Sequence, residues 1–400
     1  MKVPAGIDVI TSLSSIPAAE WNRLVQADDP FAEHAFLSAL ERSGSVGPGT
    51  GWSPAHIVLR TPKGQLRAAL PLYLKQHSYG EYIFDWSWAA AAQRAGIRYY
   101  PKLVSMAPLT PATGQRILLG EDEALSSVVP ALLAGARGLS DEIGASSIHL
   151  LFLSETERDA IAAAGKDFLP RLSMQFHWHN RGYENFEQYL GALRSPLRKQ
   201  VRKERARARS TGLTIKTLTG AELTQREYDA LWTFYTDTCH KRGSGPYLTE
   251  RFFKELVDMD PNRVLAVLAY DGETPVAGTL NFQKGKRLYG RYWGCLQDYD
   301  ALHFECCYYQ LIERAIDRGM DHFEAGAQGM HKLRRGLLPA AIHSAHHISH
   351  PGLRAAVAEF LPAEAFAVEQ EMETLAHHGP FKRDGEGPQH DRQDSSPDSR

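Results

Sequence analysis

Six side chains able to do chemistry crowd into the twelve residues from Glu324 to Arg335: Glu324, Gln328, His331, Lys332, Arg334 and Arg335. A carboxylate or an imidazole can take a proton, an amide can orient a polar ligand, and three cations can hold a phosphate or carboxylate. Gly326 and Gly329 stand among them and permit positive φ or close backbone approach. A turn furnished in this way reads as a functional loop rather than a plain connection. The elements that must position it are legible on its N-terminal side. The aromatic-rich run 288–295 predicts a buried strand. Residues 302–318 carry apolar side chains at helical spacing and stop at Gly319, and 321–325 predicts a short second strand.

A second constellation is a basic helix over 196–210. Between Arg194 and Arg209 stand eight cations and one anion, Glu204, while Leu193, Leu197 and Val201 form one narrow apolar stripe. Such a helix repels itself unless anions lie near, so Arg198, Lys199, Arg202, Lys203 and Arg205 are candidates for holding phosphates of a coenzyme, a tRNA or a lipid carrier. A solvated helix face is the competing reading. A third constellation lies in the first half, where Tyr79, Tyr82, Phe84, Trp86, Trp88, Tyr99 and Tyr100 surround Glu81, Asp85, Lys102 and Arg116. Aromatics with interspersed charges line ligand clefts and also build ordinary cores. Pro101, Pro108 and Pro111 predict an irregular segment there rather than a helix.

Other chemistries find no support. His343, His346, His347 and His350 fit no known ligand spacing, HExxH is missing, and no metal site is assigned. Walker and GxSxG motifs are missing, as is a GxGxxG after a strand. Four cysteines without a CxxC give no disulfide framework and read as reduced thiols. The N-terminus does not read as a signal peptide, and no run approaches the roughly 20 apolar residues of a membrane span. A cytoplasmic protein is expected, with peripheral membrane contact left open. A net charge of −2 confines any case for nucleic acid to local patches.

With 400 residues, two domains are the default. The order of strand, helices, paired strands, helix and strand occurs twice along the chain. This predicts an α/β (α+β) protein of two related domains, 1–169 and 170–376, each with a mixed, mostly antiparallel sheet flanked by helices. Residues 377–400 are polar and rich in charge, Pro, Gly and Ser, and are expected to be disordered.

The segments HFEAGAQGMHKLRRG, LYGRYWGC, LHFECCYY, YYPKL and FHWHNRGYENFEQYL carry a resemblance. In them, over about residues 5–375, the chain resembles a bacterial family of FemAB-like N-acyltransferases, labelled in places peptidoglycan biosynthesis or recognition proteins. That family is similar to the GNAT superfamily, with two GNAT-like domains in tandem. The resemblance implies transfer of an acyl or aminoacyl group from acyl-CoA or aminoacyl-tRNA, with no tightly bound cofactor, to an amine such as that of a peptidoglycan precursor. In GNAT folds the coenzyme pyrophosphate sits on the helix after the fourth strand. Here that turn, 296–302, lacks the glycine-rich QxxGxG of an acetyl-CoA enzyme. Met330 also stands where the family carries an acid before its His-Lys pair.

On this reading Glu324 or His331 accepts the amine proton, and Tyr292 and Trp293 wall the acyl site. Gln328, Lys332, Arg334 and Arg335 bind the substrate, and the basic helix holds its phosphates or a tRNA. The first domain, lacking its own base or phosphate loop, would shape the acceptor cleft through Asp85, Trp86 and Lys102. The rival reading is a binding protein without catalysis that recognises a peptidoglycan precursor or RNA through the same clefts.

Overall fold

In the computed structural model, residues 6–326 and 329–382 are described here. Fifteen strands follow in chain order. The first half holds β1 (Ile7–Ile10), β2 (Trp52–Pro54), β3 (His56–Arg60), β4 (Leu66–Leu70), β5 (Tyr73–Lys75), β6 (Lys102–Ser105), β7 (Leu118–Leu119) and β8 (Ser147–Leu153). The second holds β9 (Leu169–His179), β10 (Thr214–Thr219), β11 (Val264–Asp271), β12 (Thr274–Lys284), β13 (Arg287–Cys295), β14 (His322–Glu324) and β15 (Leu338–Ile348). The fold class read from the sequence holds in its outline: mixed α/β with mostly antiparallel sheets.

The segment 65–75, which its sequence reads as a single strand, is two, because it is interrupted at Pro71–Leu72 and β4 and β5 enter different sheets. One sheet has four strands in the order β1-β3-β4-β7; the other has eleven, β10-β11-β12-β13-β14-β9-β15-β8-β6-β5-β2. The larger sheet runs through both halves of the chain, joined where β15 pairs with β8. Each half contains one parallel neighbour pair, β6 with β8 and β13 with β14. The second pair matters most. Its register runs only from Arg287–His322 to Tyr289–Glu324, while β13 continues to Cys295. Beyond Tyr289 the edge of β13 that faces β14 has no strand partner among the described residues, and a gap opens in the sheet.

The helical run 302–317 follows β13 and contains a π-helical turn at Glu305–Tyr309. Its apolar face, with Leu311, Ile312, Ala315 and Ile316, is buried against Phe323 and Leu288 in one core. A widened turn of this kind re-aims side chains and recurs at functional sites. Here it lets both Cys307 and Tyr308 reach the gap.

Two sequence expectations change, and a C-terminal helix that the sequence reading does not assign is added. The aromatic segment after Tyr82 contains a regular helix, Trp86–Arg94, because the prolines that limit it lie beyond its end. The C-terminal helix Pro351–His377 packs Leu353, Val357 and Leu361 against Trp88 and Tyr99. Order also extends past residue 377: Phe381 is partly buried, bridges to Leu193 and lies beneath the Arg181 guanidinium. The rest of the expected disordered tail, 383–400, lies outside the described residues, as does Gln328. Among the described residues no helix is long and apolar enough to cross a membrane.

Candidate active-site cleft

The gap between β13 and β14 forms a cleft of about 780 Å3. Its floor is the free edge of β13 with Gly290, Arg291, Tyr292 and Trp293; one wall is Ala325, Gly326, Gly329, His331 and Lys332, and another is His303, Cys307 and Tyr308. Tyr82, Phe84 and Pro111 from the first half close it, so the cleft is built by both halves.

Local sequence explains the shape. A bulge between Leu280 and Asn281 leaves Arg291 as an extra residue in β13. Its guanidinium donates to the Leu109 carbonyl at 2.6 Å, and the Tyr292 hydroxyl donates to the same oxygen at 3.2 Å. These bonds tie the first-half loop over the site. Gly329 has φ +121°, and a Cβ there would lie 2.5 Å from the His331 ring, so a side chain would displace the imidazole. The wall then turns into a short 3-10 helix, Met330–Arg335, which carries His331 and Lys332.

The electrostatics are one-sided. Arg242, Arg291 and Lys332 line the cleft, and among its described lining residues there is no Asp or Glu. Lys332 is 2% exposed and donates to the Gly326 carbonyl at 2.7 Å. Burial brings its pKa down to about 8, with only the Cys307 thiol acting in the other direction. His331 meets the Tyr308 hydroxyl through Nε2 at 2.8 Å. Burial first, then Arg335 and Lys332, hold its pKa below the ordinary imidazole value. Burial and His331 take His303 down to about 4. Both imidazoles are neutral at pH 7. Burial raises the Cys307 and Cys239 thiols, so neither is an activated nucleophile. Asn281 donates through Nδ2 to the Leu265 carbonyl at 3.1 Å, which fixes its orientation, and its buried Oδ1 lacks a partner among the described residues. An acceptor left unmatched in a cleft suits a ligand N–H.

Of the residues singled out from sequence, His331, Lys332, Tyr292 and Trp293 meet in this cleft. The others are elsewhere. Glu324 does not share the site with His331. It alternates with Phe323, which packs under the helical run, so the Glu324 carboxylate lies on the opposite face of the sheet. There it is 2% exposed and accepts from Thr113 N–H at 3.1 Å and from His322 Nε2 at 3.2 Å. Burial would raise its pKa, but His177 and then His322 outweigh that and hold it below the ordinary carboxylate value.

Arg335 is 2% exposed, paired with Glu204 at 2.7 Å and stacked 3.5 Å from the Phe304 ring centroid. It fastens the loop to the basic helix and has no free donor fork for a phosphate. Arg334 faces a separate groove of about 420 Å3, beside Arg194 and His378. The basic helix, Ser195–Ser210, also finds acids that its own sequence does not show. Arg205 pairs with Glu305 and Glu313 at 3.0 and 2.7 Å, Arg202 with Glu187 at 2.8 Å and Arg207 with Asp300 at 3.5 Å. Arg198, Lys199 and Lys203 keep their charges without an acidic partner among the described residues.

In the first half, Asp85 and Lys102 are turned away from the cleft. Lys102 is fully buried and donates to Glu81 at 2.8 Å, Asp85 at 2.5 Å and Ser78 at 2.8 Å. Trp86 is exposed and stacks on Phe84 at 4.2 Å. It is Tyr82 and Phe84 that reach the site. Sequence reading placed both in the aromatic cluster but favoured their charged neighbours. It also missed Arg242, Arg291, His303, Tyr308 and Asn281. One signal was available: Thr279, Asn281 and Gln283 are polar at every second position of an otherwise apolar strand.

The family model described as FemAB-like, peptidoglycan biosynthesis/recognition, matches residues 12–383. Among solved structures, the C-terminal domain of a putative lysylphosphatidylglycerol synthetase from Agrobacterium fabrum superposes with TM-score 0.52 at 11% identity, covering 87% of this chain and 96% of that one. FemX superposes with TM-score 0.51 at 12% identity, covering 88% and 99%. A conserved protein of unknown function from Bacteroides thetaiotaomicron gives 0.50 at 11%, covering 86% and 100%. At these identities the likeness is one of fold. No curated protein matches the sequence.

Proposed function

Because the chain belongs to the FemAB-like family of peptidoglycan biosynthesis/recognition proteins, we propose that it is an N-acyltransferase whose cleft between β13 and β14 moves an acyl or aminoacyl group onto an amine. The observation that carries this reading is the make-up of the cleft. Three cations, two neutral imidazoles and a lone amide oxygen line it, without a carboxylate or an activated thiol among the described residues. That set suits direct attack of an amine on an activated ester or thioester, not a covalent thiol intermediate.

In the proposed reaction the amine N–H is oriented by Asn281 Oδ1. As the new C–N bond forms, negative charge develops on the carbonyl oxygen, and the Lys332 ammonium, mostly charged at pH 7, is the donor that stabilises it. The amine proton passes to the Tyr308 oxygen while the Tyr308 proton moves to His331 Nε2. The imidazolium then returns a proton to the leaving alcohol or thiol, so protons balance over the cycle. Tyr292, Trp293 and Phe84 exclude water from the acyl group. Acyl-CoA and aminoacyl-tRNA are both candidate donors, and the acidic-residue-free cleft favours an anionic donor or acceptor. A peptidoglycan precursor amine is the acceptor that the family supports.

The test is transfer assayed by mass spectrometry, with aminoacyl-tRNA or acyl-CoA offered against amine-bearing peptidoglycan precursors. Lys332→Met and His331→Ala should each lower turnover by about 10²-fold or more while precursor binding by calorimetry persists. Binding with no transfer from any donor by the unaltered chain supports the recognition-protein reading and overturns this one.

A further inference from the structure

On the face of the sheet away from the cleft, β9 and β14 lie antiparallel with His179 opposite His322 and His177 opposite Glu324. Side chains alternate along each strand, so His177, His179, His322 and Glu324 form one two-by-two patch. Potential ligand nitrogens of the three histidines all lie within 4.8 Å of one another. The Nδ1 atoms of His322 and His179 are 3.3 Å apart. Two nitrogens bound to one tetrahedral zinc at about 2.0–2.1 Å stand roughly this far from each other. His322 Nε2 points the other way, 3.2 Å from Glu324 Oε1. This is the arrangement in which a carboxylate orients a metal-bound imidazole and raises its basicity. We propose that His177, His179 and His322 bind one divalent transition-metal ion of the zinc class, with Glu324 as the carboxylate that orients His322.

The surroundings are compatible with a cation. Arg287, opposite His322 on β13, is paired with Asp28 at 2.6 Å, which offsets its charge. His179 is exposed, giving the ion an entry path. Imidazole ligation suits zinc, copper, nickel or iron rather than magnesium or calcium. The ion would clamp β14 to β9 and, through Glu324 and its bond to Thr113 N–H, steady the first-half loop that covers the cleft. Its three histidines come from two segments far apart in the chain, the pair in HWH and the single one in HFE with its carboxylate, so no local spacing announces the site.

The experiment uses the full chain without a histidine tag, stripped with chelator and titrated with zinc or cobalt alone. Expected are one equivalent bound, visible d–d bands with cobalt, and a melting temperature that rises with metal concentration. His179→Ala and His322→Ala should lose the site. Glu324→Gln should weaken it by about 10- to 100-fold. His303→Ala and His331→Ala, on the other face, should keep it. The exposed position of His179 makes its variant the one sure to fold. No uptake by the folded chain, or unchanged affinity in His179→Ala, overturns the proposal.

Discussion

Two buried lysines, one in each half, show how differently the same side chain can be used. Lys102 is fully buried and Lys332 is 2% exposed. Burial disfavours the charge of both. Around Lys102, Glu81 and then Asp85 outweigh that effect and raise its pKa. The same pair of carboxylates is driven apart: burial and Asp85 take Glu81 up to about 7, while Lys102 and then His149 overcome burial and bring Asp85 well below the ordinary range. Around Lys332 there is one carbonyl and no acid, and burial wins. The first lysine is a neutralised structural post. The second is, on the proposed mechanism, a charge held ready for a ligand. Burial and residue type do not tell them apart; the partners do.

The comparison breaks most sharply on stability. Lys102→Met leaves Glu81 and Asp85 buried without their cation and should cost about 3–5 kcal/mol, the range for breaking a buried pair from one side. That is a large share of the roughly 5–15 kcal/mol of a whole domain. Lys332→Met removes an unpaired buried charge and should leave stability equal or higher. Urea denaturation of the two variants side by side checks this. Equal losses would mean that Lys332 is structural too.

Activity should invert the order. On the proposed mechanism, Lys332→Met lowers the transfer rate by about 10²–10³, the usual size for one oxyanion donor. Tyr308→Phe interrupts the proton path and should cost about 10²-fold or more. Neither should change the melting temperature by more than a few degrees. Steady-state kinetics with whichever donor the transfer assay selects provide the measurement.

A pH series sharpens the same contrast. Lys332 has a folded pKa of about 8 against 10.5 for a free lysine. Between these values the unfolded chain binds more protons than the folded one, so stability rises with pH across that window. Below about 8 both forms are protonated and the penalty is constant. The difference in stability between the unaltered chain and Lys332→Met should therefore shrink as pH goes from 8 to 10.5. Measuring the difference removes the parallel contribution of Lys75, whose pKa burial lowers to about 7.

Much of this was legible in the sequence and some was not, for reasons that can be named. Helical spacing located the run after β13, Gly319 marked its end, and the glycines around His331 announced a strained turn. The phase of a three-residue strand decides the fate of Glu324. Phe323 must face the core, so its neighbours His322 and Glu324 face the other way, and alternation alone could have said so. The role of Arg335 depends on Glu204, and that of Lys102 on Glu81 and Asp85; these are tertiary pairings that local spacing does not reveal. The cleft itself arises from a mismatch in length between β13 and β14 and from a loop of the other half.

The smallest effect concerns the basic helix, where paired and unpaired cations alternate on one element. Arg205 lies between Glu305 and Glu313 and is mostly enclosed, whereas Lys199 and Lys203 are exposed and lack an acidic partner among the described residues. If the helix meets a polyanion, only the second kind has charge to spare. Each phosphate it neutralises releases counterions, so the log–log salt slope of binding should fall by roughly one unit per cation removed. Arg198→Gln, Lys199→Gln and Lys203→Gln together should flatten the slope for tRNA by about two to three units. They should leave the fold intact, because surface charges contribute little to stability. Arg205→Gln should do the reverse, destabilising the chain by loosening Glu305 while leaving the slope nearly unchanged. Fluorescence anisotropy across a salt series reads both. A slope identical in the triple variant and the unaltered chain would return the helix to a solvated face, and the anionic ligand would then have to be held by Arg242, Arg291 and Lys332 alone.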